Sequence, residues 1–172
     1  MWYVLKCREG QEEIIIRSCR QHLSAQVLEE AFQFSSRRMK KYLGEWHIDT
    51  FQMFPGYVFL QSSHPERLSE ELEQFREITS VLEQDRLLLP VEKEKEQLFR
   101  ALCGSGHVLD LSRGSVKNGC FRAVEGPLAG RENLIRKLDL HKRIAVLDRR
   151  LIGSDRDIWA GIDIKTDIGE AV

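Results

Sequence analysis

The chain has 172 residues with 26 basic and 27 acidic side chains, so its formal net charge is −1. This length suits one medium hydrophobic core or two small ones. No stretch approaches 18 uncharged apolar residues, and the start lacks a basic segment followed by an apolar signal core. We therefore expect a cytoplasmic protein with no membrane contact.

Charge divides the chain unevenly. Residues 1–105 carry a net charge of −3, whereas residues 106–172 carry +2. Within the second part, residues 113–150 hold 10 basic and 4 acidic side chains, a local net charge of +6. Such a field favours an anionic partner for that segment.

The first half alternates strand and helix patterns. Trp2 to Lys6 reads as a strand, and a stripe of apolar residues predicts a helix from about 11 to 24. A strand is predicted over 27–34, and the basic run 37–41 interrupts it. Residues 46–48 and 51–60 complete the predicted strand set.

The hexapeptide Phe54-Pro55-Gly56-Tyr57-Val58-Phe59 places a Pro-Gly turn before a run of strand-favouring residues. The aromatic side chains beside the turn must then share a small patch. Two interpretations stay open: a core strand behind a tight turn, or an aromatic binding surface.

Further along, Pro65 sits where a first-turn proline opens a helix, which we predict through Phe75. Residues 78–82 read as a strand and residues 91–102 as a helix. Cys103-Gly104-Ser105-Gly106 then stops the helix, and a flexible connection predicts a domain boundary between about 104 and 112.

After this connection, glycines punctuate short runs rich in strand formers. Strands are predicted at 120–124, 144–147 and 158–164, which indicates a small barrel with tight turns. Residues 131–141 fit either a helix or a strand.

The four cysteines, Cys7, Cys19, Cys103 and Cys120, lie far apart without a Cys-x-x-Cys pair. They read as small buried hydrophobes rather than a disulfide framework. Cys19 with His22, and Cys103 with His107, each supply only two donors, whereas a structural zinc site needs four. We therefore predict no metal and no cofactor, with Cys19 buried and His22 exposed.

Enzymatic function fits the sequence poorly. The phosphate-binding loop, the dinucleotide fingerprint, the zinc-protease motif and the nucleophile elbow are all absent from the sequence. The carboxylates of the charged helices are explained by a solvated face. The sequence thus favours a binding protein over a catalyst.

Two motifs together resemble the NusG family of transcription elongation factors. The chain opens Trp2-Tyr3-Val4 and carries the hexapeptide 54–59, both typical of the family's N-terminal (NGN) domain. Residues 118–130, which end Gly126-Pro127-Leu128-Ala129-Gly130, are similar to the family's KOW motif. The motifs bracket nearly the whole chain in the order that the family uses.

The resemblance implies an α+β fold in which an NGN domain over 1–104, an antiparallel sheet flanked by helices, is joined by a linker over 105–112 to an SH3-like KOW β-barrel over 113–172. It also implies binding to RNA polymerase at the clamp helices of its largest subunit, which favours processive elongation, and we expect the protein to be a monomer. The residues expected to bind the polymerase are Trp2, Tyr3, Phe54, Pro55, Gly56, Tyr57 and Phe59.

The basic continuation after Gly130 is longer than in an ordinary NusG barrel and resembles the specialised paralogue class LoaP, antiterminators of long operons. This implies that the barrel binds a structured leader RNA hairpin. The residues expected to contact RNA are Lys117, Arg122, Arg131, Arg136, Lys137, His141, Lys142, Arg143, Arg149 and Arg150.

The run Arg37, Arg38, Lys40 and Lys41 has two interpretations. It is either a solvated hairpin tip or charged edge strand, or a contact with non-template DNA.

Two alternatives for the whole chain also stay open. One is a general NusG-type factor whose barrel binds a ribosomal protein or Rho, and the other is a free RNA-binding module without polymerase contact.

Overall fold

The computed structural model describes residues 1–80, 82, 88–148 and 156–165. Its helices are α1 (Glu12–His22), α2 (Pro65–Gln74), α3 (Arg76–Thr79) and α4 (Lys93–Cys103). Its strands are β1 (Trp2–Lys6), β2 (Glu30–Phe32), β3 (Ser35–Tyr42), β4 (Glu45–Gln52), β5 (Tyr57–Gln61), β6 (Leu89–Pro90), β7 (Val108–Leu109), β8 (Ser112–Lys117), β9 (Cys120–Glu125), β10 (Ile135–Asp139), β11 (Ile144–Leu147) and β12 (Ile158–Ile164). The α+β class is therefore confirmed.

Contacts divide the chain into two compact units. The first comprises Met1–Gln33 and Phe54–Leu98, and the second comprises Phe34–Met53 with the chain from Phe99 onwards. The β3–β4 hairpin thus groups with the C-terminal strands rather than with its neighbours in sequence. The domain division 1–104, 105–112 and 113–172 stays a prediction.

The first unit is built on a four-stranded sheet in the order β2-β5-β1-β6. β1 pairs antiparallel with β5, with Val4 opposite Phe59. Alternate residues of the strands, such as Leu5 and Leu60, point to a core that also contains Ile15 of α1 and Leu72 of α2. Truncating such a side chain to alanine typically costs about 2–5 kcal/mol, so this face fixes the position of β1 and β5.

The second unit begins with the β3–β4 hairpin, whose eight residue pairs run from Ser35–Gln52 to Tyr42–Glu45. β7 adds parallel to the start of β3. The basic run therefore lies inside β3, so the prediction that it interrupts a strand was wrong. Strand-forming cross-strand partners such as Trp46 and Ile48 outweigh the charge of the run.

The C-terminal strands form a five-stranded sheet in the order β10-β11-β12-β8-β9. β12 also packs on β3, and at Gly161 the two backbones come so close that an added Cβ would lie 2.3 Å from the Arg37 carbonyl oxygen. Only glycine allows this approach. Gly161 therefore fixes the position of the hairpin on the C-terminal sheet.

Most predicted elements are confirmed, including β1, α1, α2, β9, β11 and β12. The predicted strand over 27–34 is shorter, because only Glu30–Phe32 pairs with β5. The predicted strand at 78–82 was wrong where the structure describes it. Ile78 belongs to α3 and is fully buried, and Leu82 forms only an isolated bridge with Cys7. The ambiguous segment 131–141 forms a 3-10 turn at Glu132–Leu134 followed by β10.

Candidate functional site

The Pro-Gly turn before β5 is held by a buried carboxylate. Gly56 has a φ of +82°, and an added Cβ there would lie 2.8 Å from the Cys7 carbonyl oxygen. The backbone N–H of Gly56 donates to Oε1 of Glu12 at 2.6 Å, and the N–H of Gly10 donates to its Oε2 at 2.8 Å. Hydrogen bonds to a charged acceptor are strong, so Glu12 ties α1 to this turn.

An aromatic cluster covers the sheet face opposite α1. Ring centroids lie 5.3 Å apart for Trp2 and Phe32, 5.6 Å for Phe32 and Phe59, and 5.9 Å for Phe54 and Phe59. We call these residues, with Tyr57, the aromatic face. Trp2, Phe54 and Phe59 are buried, so their packing makes the face rigid.

The edge of the aromatic face is partly exposed. Tyr57 and Pro55 are half-buried. The Tyr57 ring lies 6.2 Å from the Phe54 ring, and the Lys6 ammonium lies 5.7 Å from the Tyr57 centroid. Tyr57 is thus accessible to a partner and packs against the buried Phe54 ring.

Tyr3 does not join this face. It belongs to the core under the helices, because successive residues of β1 point to opposite sides of the sheet. Burial, together with the charge of Glu96, raises the pKa of Tyr3. The structure therefore separates Tyr3 from the other aromatic residues of the predicted set.

In the second unit, Arg38 is stacked between two rings. Its guanidinium carbon lies 3.7 Å from the Phe51 centroid and 5.2 Å from that of Trp159. Its Nε is buried without a hydrogen-bond partner, and burial lowers the pKa of the side chain. Stacking on two aromatic faces compensates part of this desolvation.

The Trp46 ring lies close to one cation of the β3–β4 hairpin and to one cation of the C-terminal segment. The Arg143 guanidinium lies 4.4 Å from its centroid and the Lys41 ammonium 5.8 Å. A groove of about 350 Å³, which we call the hairpin groove, lies beside it. Its lining comprises Arg38, Met39, Lys40, Lys41, Trp46, Phe51, His141, Lys142 and Ile144.

A second groove of about 540 Å³ continues over the C-terminal sheet, and we call it the sheet groove. It shares Lys142 and Ile144 with the hairpin groove, so the two are adjacent. Trp159 lines it, with the Lys142 ammonium 6.0 Å from the ring centroid. Arg136, Lys137, Asp139, Val146 and Asp157 complete the lining.

Several predicted nucleic-acid contacts are ion-paired. Arg136 pairs with Asp157 at 2.7 Å, Arg143 with Asp163 at 3.3 Å and Arg37 with Asp110 at 3.2 Å. Lys40 lies 3.9 Å from Asp49, and Arg131 donates to the Pro127 carbonyl oxygen at 3.2 Å. Pairs at a surface are worth about 0–1 kcal/mol, so a phosphate can replace the carboxylate.

Other predicted cations are exposed and, within the described residues, make no ion pair: Lys41, Lys117, Arg122, Lys137, His141 and Lys142. Arg149 and Arg150 lie outside the described residues. The structure brings Arg38, Lys40 and Lys41 together with His141 and Lys142. It places Lys117 and Arg122 on β8 and β9, outside both grooves.

A third groove, of about 830 Å³, lies between β9 and β10, the two outer strands of the C-terminal sheet. We call it the edge groove. Its apolar lining comprises Phe121, Val124, Ile135 and Leu138, and Val124 is strongly exposed. Its rim carries Arg122, Arg136 and Lys137 beside Glu132.

The cysteines follow the prediction in part. Cys7, Cys19 and Cys103 are buried and free, whereas Cys120 is exposed on the outer strand β9, so its predicted burial was wrong. Burial raises the pKa of Cys19 and of Cys103 to about 12. His22 is exposed and stacks on Phe75 at 4.8 Å.

Among the residues that the structure describes, no group of three or more histidine, cysteine or acidic side chains is placed to hold a metal ion. In the same part of the chain, no helix has the length and apolar character needed to cross a membrane.

Sequence reasoning missed the aromatic partners of the basic residues, Trp46, Phe51 and Trp159. The aromatic residues at 42, 46 and 51, which follow the basic run directly, were a signal that could have found the first two. Trp159 lies more than a hundred residues further along the chain, and only its packing against Arg38 reveals its role.

Comparisons with known proteins give the family. The family model described as NusG, transcription termination factor nusG, matches residues 1–100. A solved structure described as "Domain interaction in Thermotoga maritima NusG" is similar with a TM-score of 0.51 and 15% identity, covering 93% of this chain and 92% of that chain. At this identity the likeness shows a shared fold. No curated protein sequence matches the chain significantly.

Proposed function

Because the chain belongs to the NusG family of transcription factors, we propose that its N-terminal part binds RNA polymerase and that its basic C-terminal sheet, a KOW-type barrel, binds a structured leader RNA. The bound protein promotes processive elongation and antitermination, as in the LoaP class. The family match over residues 1–100 supports the polymerase part of this proposal, and the net charge of +6 over residues 113–150 supports the RNA part.

The aromatic face supplies the polymerase contact. Trp2, Phe54 and Phe59 are buried and hold the face rigid, whereas Tyr57 and Pro55 reach solvent. A partly exposed aromatic side chain on a rigid base is the usual anchor of a protein interface. The clamp helices of the largest polymerase subunit are the proposed partner.

Binding acts on the polymerase by a shift of population. At saturation, a factor that binds the elongating conformation better than the paused one lowers the ratio of paused to elongating complexes by the ratio of the two affinities. A tenfold ratio corresponds to about 1.4 kcal/mol. This mechanism requires no covalent step in the factor itself.

The leader RNA contact rests on the charge of residues 113–150, which is net +6. Exposed cations such as Lys137 and Lys142 make no ion pair within the described residues and are available to phosphates. Arg37, Arg38, Lys40 and Lys41 lie on β3, where a contact with non-template DNA is the competing assignment.

The edge groove favours a second candidate, a general NusG-type factor whose C-terminal sheet binds a protein such as a ribosomal protein or Rho. Phe121, Val124 and Leu138 give it the apolar lining that a protein partner needs. The net charge of +6 over residues 113–150 counts against this candidate, because such an excess of cations favours a polyanion.

One experiment separates these functions. The full chain, carrying an affinity tag, is incubated with RNA polymerase elongating through its own leader, and bound RNA is crosslinked and sequenced. We expect co-purified polymerase and crosslinks concentrated in one leader hairpin. Polymerase without specific RNA would support the protein-binding candidate, and RNA without polymerase would identify a free RNA-binding module.

A further inference from the structure

We propose that the hairpin groove and the sheet groove form one continuous track for unpaired nucleotides of RNA. This inference rests on the proposed leader RNA partner and adds that part of that RNA is bound as a single strand. It assigns the hairpin residues Arg38, Lys40 and Lys41 to the same ligand as Lys142.

The lining of the track has the chemistry of single-strand recognition. Trp46 lies in the hairpin groove and Trp159 in the sheet groove, and Lys142 and Ile144 line both. Proteins that bind single strands combine a basic groove with rings on which bases stack. Here each ring has a cation within about 6 Å, since Lys142 is 6.0 Å from Trp159 and Arg143 is 4.4 Å from Trp46.

A duplex would not use these rings. In an A-form helix the bases are stacked on each other, and proteins read mainly shape, phosphates and 2′-hydroxyl groups. Trp159 is 43% exposed on β12, which leaves ring surface open to an unstacked base. The exposed aromatic surface therefore indicates loop or linker nucleotides rather than a stem.

The stacked arginine gives the track a fixed shape. Arg38 is packed against Phe51 and Trp159, and its Nε is buried without a partner. The guanidinium thus holds Trp159 in place from the hairpin side. Arg38 acts as a positioning residue and also contributes positive charge.

The carboxylates of the sheet groove are already occupied. Asp157 pairs with Arg136 at 2.7 Å, and Asp139 Oδ1 accepts the backbone N–H of Lys142 at 2.9 Å. Arg136 therefore compensates the charge of Asp157, whereas the backbone hydrogen bond holds Asp139 in place without neutralising it. Lys41 and Lys142 make no ion pair in the described part of the chain and remain available.

The test measures binding of the full chain to an oligouridylate of about ten nucleotides, a length within the site size of single-strand binding folds. Tryptophan fluorescence should be quenched on binding, because a base stacks on Trp46 or Trp159. The same RNA in a duplex should bind at least several-fold more weakly. Equal or tighter binding of the duplex would overturn the proposal, and so would tighter binding of the DNA of the same sequence.

Paired substitutions separate stacking from simple packing. Trp159→Leu and Trp46→Leu should each lower the affinity about 5- to 150-fold, the range for loss of one stacked base. Trp159→Phe and Trp46→Phe retain a ring and should recover most of it. Lys93→Ala removes one exposed charge outside the track and should bind as the wild type does. Thermal melts establish that each variant is folded.

Binding of the leader RNA hairpin, measured beside the oligouridylate, shows whether a negative result concerns only the track or the proposed function as a whole. If the chain binds the hairpin, but the leucine variants bind it and the oligouridylate as the wild type does, the track is wrong and the leader RNA proposal stands. If the chain binds neither RNA, the proposed function itself fails.

Discussion

Gly161→Ala tests the junction that creates both grooves. Gly161 lies on β12 where this strand crosses β3. A methyl group there would lie 2.3 Å from the Arg37 carbonyl oxygen, 2.7 Å from Leu111 Cδ2 and 2.8 Å from Arg38 Cα. Two of these atoms belong to backbone, so the strands must move apart to accommodate it.

Overpacking of this kind typically costs about 1–3 kcal/mol of the free energy of unfolding. For a chain of this size each kcal/mol lowers the melting temperature by about 2–4 °C, so we expect a fall of about 2–12 °C. Moving β3 also displaces Arg38 from Trp159, so the affinity for single-stranded RNA should fall as well.

Gly106→Ala is the matched control. A Cβ at Gly106 meets nothing within 4 Å, and this glycine is not among those with positive φ. Its melting temperature should stay unchanged or rise slightly, because alanine restricts the unfolded chain. If both variants melt and bind RNA alike, the close approach of β12 to β3 is refuted, and the grooves built on it are refuted too.

Three further substitutions address the aromatic face, the RNA contact and the Pro-Gly turn. Tyr57→Ala should weaken polymerase binding by about 2 kcal/mol, roughly thirtyfold, with little change in the melting temperature. Phe59→Ala should instead lower the free energy of unfolding by about 3–5 kcal/mol. A Tyr57→Ala variant that binds the polymerase normally would contradict the role of Tyr57 as an anchor. The Lys142→Ala/Arg143→Ala double variant should reduce the magnitude of the slope of log K against log salt for RNA binding by about 1.4 to 1.8. An unchanged slope would show that neither residue contacts an RNA phosphate. Glu12→Ala leaves the buried backbone N–H of Gly56 unpaired, so the free energy of unfolding measured by chemical denaturation should fall by about 1–3 kcal/mol. An unchanged free energy would show that the turn does not depend on this carboxylate.

The sequence by itself determined the elements whose signals are local. The apolar stripe through Ile15 and Cys19 predicted α1, and the strand formers of 144–147 and 158–164 predicted β11 and β12. The Pro-Gly turn and the opening Trp2-Tyr3-Val4 indicated the family, which the family model over residues 1–100 confirmed. These features depend on spacing along the chain, which a sequence displays directly.

The tertiary structure decided which residues meet. Local propensity could not show that Ile78 would be buried in a helical turn, because the packing around it, rather than β propensity, fixed its conformation. Successive side chains of β1 point to opposite faces of the sheet. Tyr3 therefore lies in the core under the helices and Trp2 in the aromatic face, although the two are adjacent in sequence.

The same holds for the proposed nucleic-acid track. Its cations were visible in the sequence, but their partner Trp159 lies far from Arg38 along the chain. The contact exists because the absence of a side chain at Gly161 lets β12 approach β3. A pattern along the chain gives each strand its own periodicity, whereas the contact between two strands depends on how their surfaces fit in space.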